Sequence, residues 1–281
     1  MWNHLRTALL LGALSALLVG VGGAIGGSAL PIGLVLAIVL NVGSYYFSDR
    51  IVLSMNGATP LSPAEAPRLH AMVAELAQKA GLPMPRLYRI ADPSPNAFAT
   101  GRDPEHGVVA VTDGILELLP ERELRGVLAH ELAHIQHRDI LISSIAAVMA
   151  AAVGLVADIS RWGLLLGGGS ANDEEEGGGG IIGLVLTMFL APLGATLLQL
   201  GLSRSREHLA DEGAARLTGD PEGLARALLR LEGSVEALPM ERPATASLYI
   251  VSPSGGFGKL LNLFRTHPPT AERVARLRAL R

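Results

Sequence analysis

Long uncharged runs alternate with stretches of mixed polarity, and the alternation divides the chain into four parts. The first run extends from Thr7 to about Gly27; after the short turn Ser28-Ala29-Leu30-Pro31 a second continues to about Phe47. Each is roughly 17 to 21 residues long, enough for a tilted helix to cross a hydrocarbon core about 30 Å thick. Residues 1–48 therefore predict a transmembrane hairpin. A cleaved signal peptide is the rival for the first run, but the run is long for one and a second span follows directly. Ile140 to about Val156 and Ile181 to Leu202 repeat the pattern and predict a second hairpin over 140–202, its last span kinked at Pro192. Between them, Gly167 to Gly169 and Gly177 to Gly180 flank Asp173-Glu174-Glu175-Glu176, the composition of a solvated, disordered outer loop.

The stretches 49–139 and 203–281 read as the two parts of one soluble domain. Ser62, Pro63 and Glu65 have the spacing of a capped helix start, and Leu69, Met72, Val73, Leu76 and Ala80 continue that helix to Gly81. Three short β-prone runs follow, Arg86 to Ile90, Asn96 to Thr100 and Val108 to Thr112, separated by turn-forming residues. They predict a small antiparallel sheet. Helices are expected from Asp113 to Leu119, from Pro120 onward, from Ser203 to Leu217, from Asp220 to Leu231, near Lys259 to Phe264, and from Val274 to Leu280. The fold class is thus mainly α with a small antiparallel β-sheet and four transmembrane helices in two hairpins.

Composition supports the membrane reading. A mean hydropathy of +0.37, with 17% charged and 49% hydrophobic residues, is too apolar for an ordinary soluble domain of this length. The net charge of -3 leaves no basic footprint for nucleic acid. Arg6, Arg50, Arg138, Arg204 and Arg206 all fall on one side of the four spans, and Arg161 alone on the other. The positive-inside rule then puts both termini and the soluble domain in the cytoplasm. With no cysteine, any zinc must be held by His, Glu or Asp. The run Gly255-Gly256-Phe257-Gly258-Lys259 fails as a phosphate loop, because Pro253 and Leu260 stand where Gly and Ser or Thr are needed, so no nucleotide is expected.

The chemistry concentrates in His130-Glu131-Leu132-Ala133-His134. On a helix, histidines four apart lie about 40° apart around the axis and about 6 Å along it, so both imidazoles reach one metal ion. Glu131 beside them can act as base on a water, the H-E-x-x-H arrangement of zinc peptidases. A catalytic zinc wants a third ligand. Glu207 and Asp211, four apart on one helix face, offer that ligand and an outer carboxylate for a histidine N–H; on spacing alone they equally fit a solvated acidic face beside Arg204 and Arg206. His208 is the runner-up ligand, about 100° round the helix. His137 is expected to face the headgroups, and His4, His70 and His106 to be ordinary surface residues.

Four motifs in order carry a resemblance. Asn96-Ala97-Phe98-Ala99-Thr100-Gly101, His130-Glu131-Leu132-Ala133-His134, Ser203-Arg204-Ser205-Arg206-Glu207-His208-Leu209-Ala210-Asp211 and Thr266-His267-Pro268-Pro269 resemble those of the HtpX family of membrane zinc metalloproteases. The likeness extends over nearly the whole chain. It implies a zincin-like catalytic domain with one zinc per chain, His130, His134 and Glu207 as ligands and Glu131 as base. It also implies ATP-independent cleavage of damaged or misassembled proteins at a cell membrane, alone or beside other membrane proteases. The membrane CaaX-prenyl proteases are similar in their core but carry more spans.

Two further expectations attach to this reading. The substrate would lie extended along Asn96, Ala97, Phe98, Ala99 and Thr100, pairing with the sheet edge, although Phe98 equally suits a core and Asn96 a turn. His267 could donate to the tetrahedral oxyanion, or simply precede a helix start. If the catalytic helix ran on into the third span, His134 would lie about 9 Å from Ile140 and the metal within roughly 10 Å of the membrane surface. The rivals are a membrane adaptor or holdase with purely structural zinc, a more specific processing protease, and a transporter; the last wants ionisable groups within the spans, and the sequence places none at mid-depth.

Overall fold

A computed structural model describes residues 30–149, 204–235 and 268–280, together with helical positions scattered between 5 and 23. The glycine and acidic loop, most of the second apolar hairpin, the helix expected near Lys259 and the candidate His267 lie outside the described residues.

The chain enters through α1, Leu30–Met55. Among the described residues this is the one helix long and apolar enough to cross a membrane; at 1.5 Å per residue it is about 39 Å long. Its outward Ile32, Val35, Ile38, Val39 and Val42 are each more than half exposed, which water would penalise and lipid would not. Asn41 on the inner side donates through Nδ2 to Ser15 Oγ (2.7 Å) and to the Leu11 carbonyl (3.3 Å), so α1 touches the first apolar run. The helix passes residue 48 without a break, and its last turns leave the apolar stretch: Val52 and Leu53 are buried against the sheet.

Ser62 donates both its N–H and its hydroxyl to Glu65 Oε2, but the two residues close a turn instead of capping a helix, and the following helix α2 is Pro67–Ala80. Pro67 sets the start, because the residue before a proline is steered away from helical angles; Ala66 sits at φ -137°, ψ 64°. Gly81, at φ 66°, ends it as expected.

The sheet is mixed, not antiparallel. Its strands are β1 Thr59–Pro60, β2 Arg86–Ile90, β3 Ala97–Thr100 and β4 Val108–Thr112, in the order β1-β2-β4-β3. β4 lies between β2, to which it is parallel, and β3, to which it is antiparallel. All five residues of β4 are buried, the uninterrupted apolar pattern of a strand covered on both faces. Ala97 and Ala99 point into the core formed with the helices on one face; Phe98 points to the other, where Val52, Leu53, Ala147 and Val148 meet it.

After α3, Asp113–Leu118, comes α4, Glu121–Gln136. Its acidic first turn, Glu121 and Glu123, suits the positive end of the helix dipole. Leu124, Val127, Leu128, Leu132 and Ile135 lock it into the core. The helix does not run straight into the next apolar stretch. It stops at Gln136, Arg138 takes a left-handed φ of 58°, and α5, Ile140–Met149, sets off anew. The simple axial distance from His134 to Ile140 therefore does not hold. α6 Arg204–Thr218, α7 Pro221–Val235 and α8 Thr270–Ala279 complete the helical layer.

Candidate metal centre

α4 and α6 approach closely enough for their side chains to share one site, and a glycine permits it. A Cβ on Gly213 would stand 2.8 Å from Ala133 Cβ. Gly213→Val is expected to force the helices apart and destabilise the chain by about 1–3 kcal/mol, readable as a lowered unfolding temperature of the purified protein.

Across this seam His130, His134 and Glu207 each present one donor atom, all within 4.8 Å of one another. His130 Nε2 and His134 Nε2 are 3.2 Å apart, and Glu207 oxygens lie 3.6 Å from the first and 3.5 Å from the second. Donors about 2.0–2.1 Å from a tetrahedral zinc stand about 3.3 Å from one another, so the spacing fits. The ring protons argue the same way. His130 Nδ1 lies 3.0 Å from Asp211 Oδ1, and His134 Nδ1 lies 3.2 Å from Asp139 Oδ2. A carboxylate at each Nδ1 assigns the proton there. Both Nε2 lone pairs then face each other and a carboxylate, an arrangement that a cation between them, or a proton on His134, relieves.

The local charge count agrees. Among the described residues, Glu131, Asp139, Glu207 and Asp211 are buried with Arg206 and Arg273, four carboxylates against two guanidiniums. With neutral imidazoles the cluster lacks two positive charges, the charge of one zinc ion. Its titration reflects the same shortage. Burial pushes His130 down to about 4. Burial also opposes charge on His134, but Asp139, Glu207 and Glu131 outweigh it and raise that ring to about 10. Burial, reinforced by Glu207, pushes Glu131 up to about 7 against the pull of His134 and the Ala99 N–H. A bound dication would draw Glu131 back toward its ionised form.

A family model for peptidase family M48 matches residues 63–281. The chain belongs to that family. Proteins similar to it over nearly their whole length include a protease HtpX homolog of Syntrophobacter fumaroxidans, 54% identical over 100% of both chains. Another from Pelotomaculum thermopropionicum is 50% identical over 99% of both, and one from Pyrococcus abyssi is 49% identical over 98% of this chain and 95% of its own. Among solved structures, that of S. mikatae Ste24p shares the fold at TM-score 0.52 and 20% identity, over 98% of this chain and 65% of that one. This M48 member is a zinc-dependent metalloendopeptidase of a membrane, and zinc is its cofactor.

The sequence-derived candidates fall into place unevenly. Glu131 is buried beside the cluster, its Oε2 accepting a 2.8 Å hydrogen bond from the Ala99 N–H. Asp211 backs His130, and burial notwithstanding, Arg273 holds its carboxyl down to about 2. His208 turns away to Glu272 on α8, 3.1 Å distant. Asn96 and Thr100 are buried, Asn96 N–H donating to Thr112 Oγ1 and Thr100 Oγ1 meeting Ser144 Oγ at 2.7 Å. Phe98 is a core residue. Three residues escaped the sequence reading: Asp139 behind His134, Arg206 paired with Asp139, and Arg273, fully buried in the final helix with two hydrogen bonds to Asp211. The signal for Arg273 was its place three residues past Thr270, on the same helix face as Val274 and Leu277.

Proposed function

We propose that His130, His134 and Glu207 hold one zinc ion and that Glu131 is the general base of peptide-bond hydrolysis. The observation that carries this reading is the pair of Nε2 atoms 3.2 Å apart, each ring backed by a carboxylate at Nδ1. Zinc, when bound, supplies a Lewis acid that polarises the scissile carbonyl and acidifies water. Glu131 accepts the proton of the attacking water on a carboxylate oxygen and delivers it to the departing amine nitrogen. Asp211 and Asp139 keep the two rings in the tautomer that aims Nε2 inward. His267 is proposed to donate to the oxyanion.

The substrate pairs with the outer edge of β3. In the β3–β4 ladder Thr112 N–H donates to the Asn96 carbonyl, so Asn96, Phe98 and Thr100 bond toward β4 while Ala97 and Ala99 turn their backbone groups outward. The Ala99 N–H already reaches Glu131, which registers this edge against the base. Backbone pairing gives affinity with little side-chain selectivity. Ala97 is fully buried and Ala99 nearly so, so substrate entry must open the chain over this edge. A loosely folded or unanchored polypeptide suits such a site.

The natural task proposed is ATP-independent quality control of damaged membrane proteins. The supporting geometry is the second core cluster, in which Phe98 of β3 packs on α1 and α5, the elements that continue the apolar stretches. We place the four spans in two hairpins, residues 1–48 and 140–202, with both termini and the two catalytic segments, 49–139 and 203–281, in the cytoplasm. The test is a matched pair of unfolded substrates, one soluble and one tethered to a membrane span, offered to the full chain in proteoliposomes. The tethered substrate is expected to be cut faster and both cuts to stop with chelator. Equal rates would contradict the membrane-facing site.

A further inference from the structure

Two carboxylate–arginine pairs back the histidines, and they differ in where they are rooted. Asp211 and Arg273 belong to α6 and α8, wholly inside the catalytic layer. Asp139 and Arg206 do not. Asp139 precedes α5, and its carbonyl accepts the Ser143 N–H that starts that helix. Arg206 stands in the first turn of α6. The pair therefore joins the two ends at which the chain leaves for residues 140–202 and returns from them.

Its members are built into the site. Asp139 is 5% and Arg206 8% exposed. Arg206 Nη2 donates to Asp139 Oδ1, the other carboxylate oxygen lies 3.2 Å from His134 Nδ1, and the Asp139 N–H donates to the His134 carbonyl at 2.9 Å. The left-handed turn at Arg138 is what brings the Asp139 carboxylate back toward His134. Non-glycine residues in that region cost about 1 kcal/mol or more, so the turn persists because other contacts fix it. The same helix α5 holds the far end of β3 through Ser144 and Thr100, 2.7 Å apart.

We infer that Asp139 and Arg206 are positioning residues for His134, and that they make zinc affinity depend on the ends of the 140–202 segment being held together at the catalytic domain. Arg206 orients Asp139; Asp139 fixes the tautomer and tilt of the His134 ring; the ring presents Nε2 to the metal. Separation of α5 from α6 would withdraw the carboxylate from the ring without disturbing Asp211 and Arg273. The inference rests on the zinc reading above.

The test uses the full chain purified in detergent, stripped of metal and titrated with zinc against a chromophoric chelator. Asp139→Asn removes the charge and keeps the shape. Asp139→Asn combined with Arg206→Met removes both charges, so no ion is stranded in the interior. Loss of an outer-shell partner weakens metal binding by about 10–100-fold, and that shift is expected in both variants. The cobalt-substituted proteins are expected to show altered d–d absorption, while the unfolding temperature of the metal-free protein stays within a few degrees of wild type for the double variant. Zinc affinity within twofold of wild type in the double variant overturns the inference, as does failure of both metal-free variants to fold, since the pair would then serve the fold alone. A wild-type chain that binds no zinc defeats the underlying metal reading instead.

Discussion

Glu131→Gln is expected to keep its zinc and to lose peptide-bond cleavage by about 10²–10⁴-fold, the usual contribution of a positioned general base. Glutamine preserves the size of the side chain and its ability to accept the Ala99 N–H, the 2.8 Å contact that registers the edge strand. It cannot take a proton from water. Burial already works against the charge on Glu131, so the neutral amide sits in this pocket without the desolvation cost of the carboxylate. The folded chain should therefore be no less stable than wild type, and the loss should appear in kcat. Cleavage of an unfolded casein by the detergent-purified protein, with added zinc, measures it. A variant that still cleaves at the wild-type rate removes Glu131 from the mechanism.

Glu207→Ala is expected to act on the metal instead of on the proton. Its oxygens lie 3.6 Å and 3.5 Å from the two Nε2 atoms and supply the one anionic donor of the cluster. Removing it leaves two imidazoles, too few for a catalytic zinc site. Zinc affinity should fall by more than the about 10–100-fold that loss of an outer partner costs, and activity should fall with it at limiting zinc. Asp211→Asn provides the comparison, because it leaves all three donors and alters the backing of His130 together with the buried partner of Arg273. Chelator competition ranks the two; Glu207→Ala binding zinc as well as Asp211→Asn would mean that the third donor is another residue.

What the sequence made legible was local chemistry. His130, Glu131 and His134 are one helical turn, and a helix fixes their mutual geometry whatever surrounds it. Glu207 was not singled out by spacing alone, which fitted a solvated acidic face equally well; the family resemblance pointed to it, and the structure brings its carboxylate to the two histidines. The partners behind them were not legible. Arg206 read as a charge beside a membrane span, and it is buried against Asp139. Arg273 fell just ahead of the expected final helix, Val274 to Leu280, and it lies inside that helix, buried against Asp211. A buried ion pair has the same composition as a surface one; only tertiary packing distinguishes them.

The sheet failed for a related reason. Turn residues between successive β-prone runs suggest neighbours, but β4 inserts between β2 and β3, so β2 and β4 run parallel. Strand order is a nonlocal property. The unbroken apolar run of Val108 to Val111 was the available sign that this strand is central, and β3, four residues at an edge, gains its functional meaning only from that order. Ser62 and Glu65 show a local failure: the two residues do interact, but in a turn that caps no helix, and Pro67 decides where the helix begins.

X-ray absorption at the zinc edge of the detergent-purified full chain tests the central claim most directly. The account predicts one zinc per chain with two imidazole nitrogens, a carboxylate oxygen and a further light-atom position, and the same spectrum for Glu131→Gln. A spectrum with three or more imidazoles, or one that survives unchanged in Glu207→Ala, would contradict it.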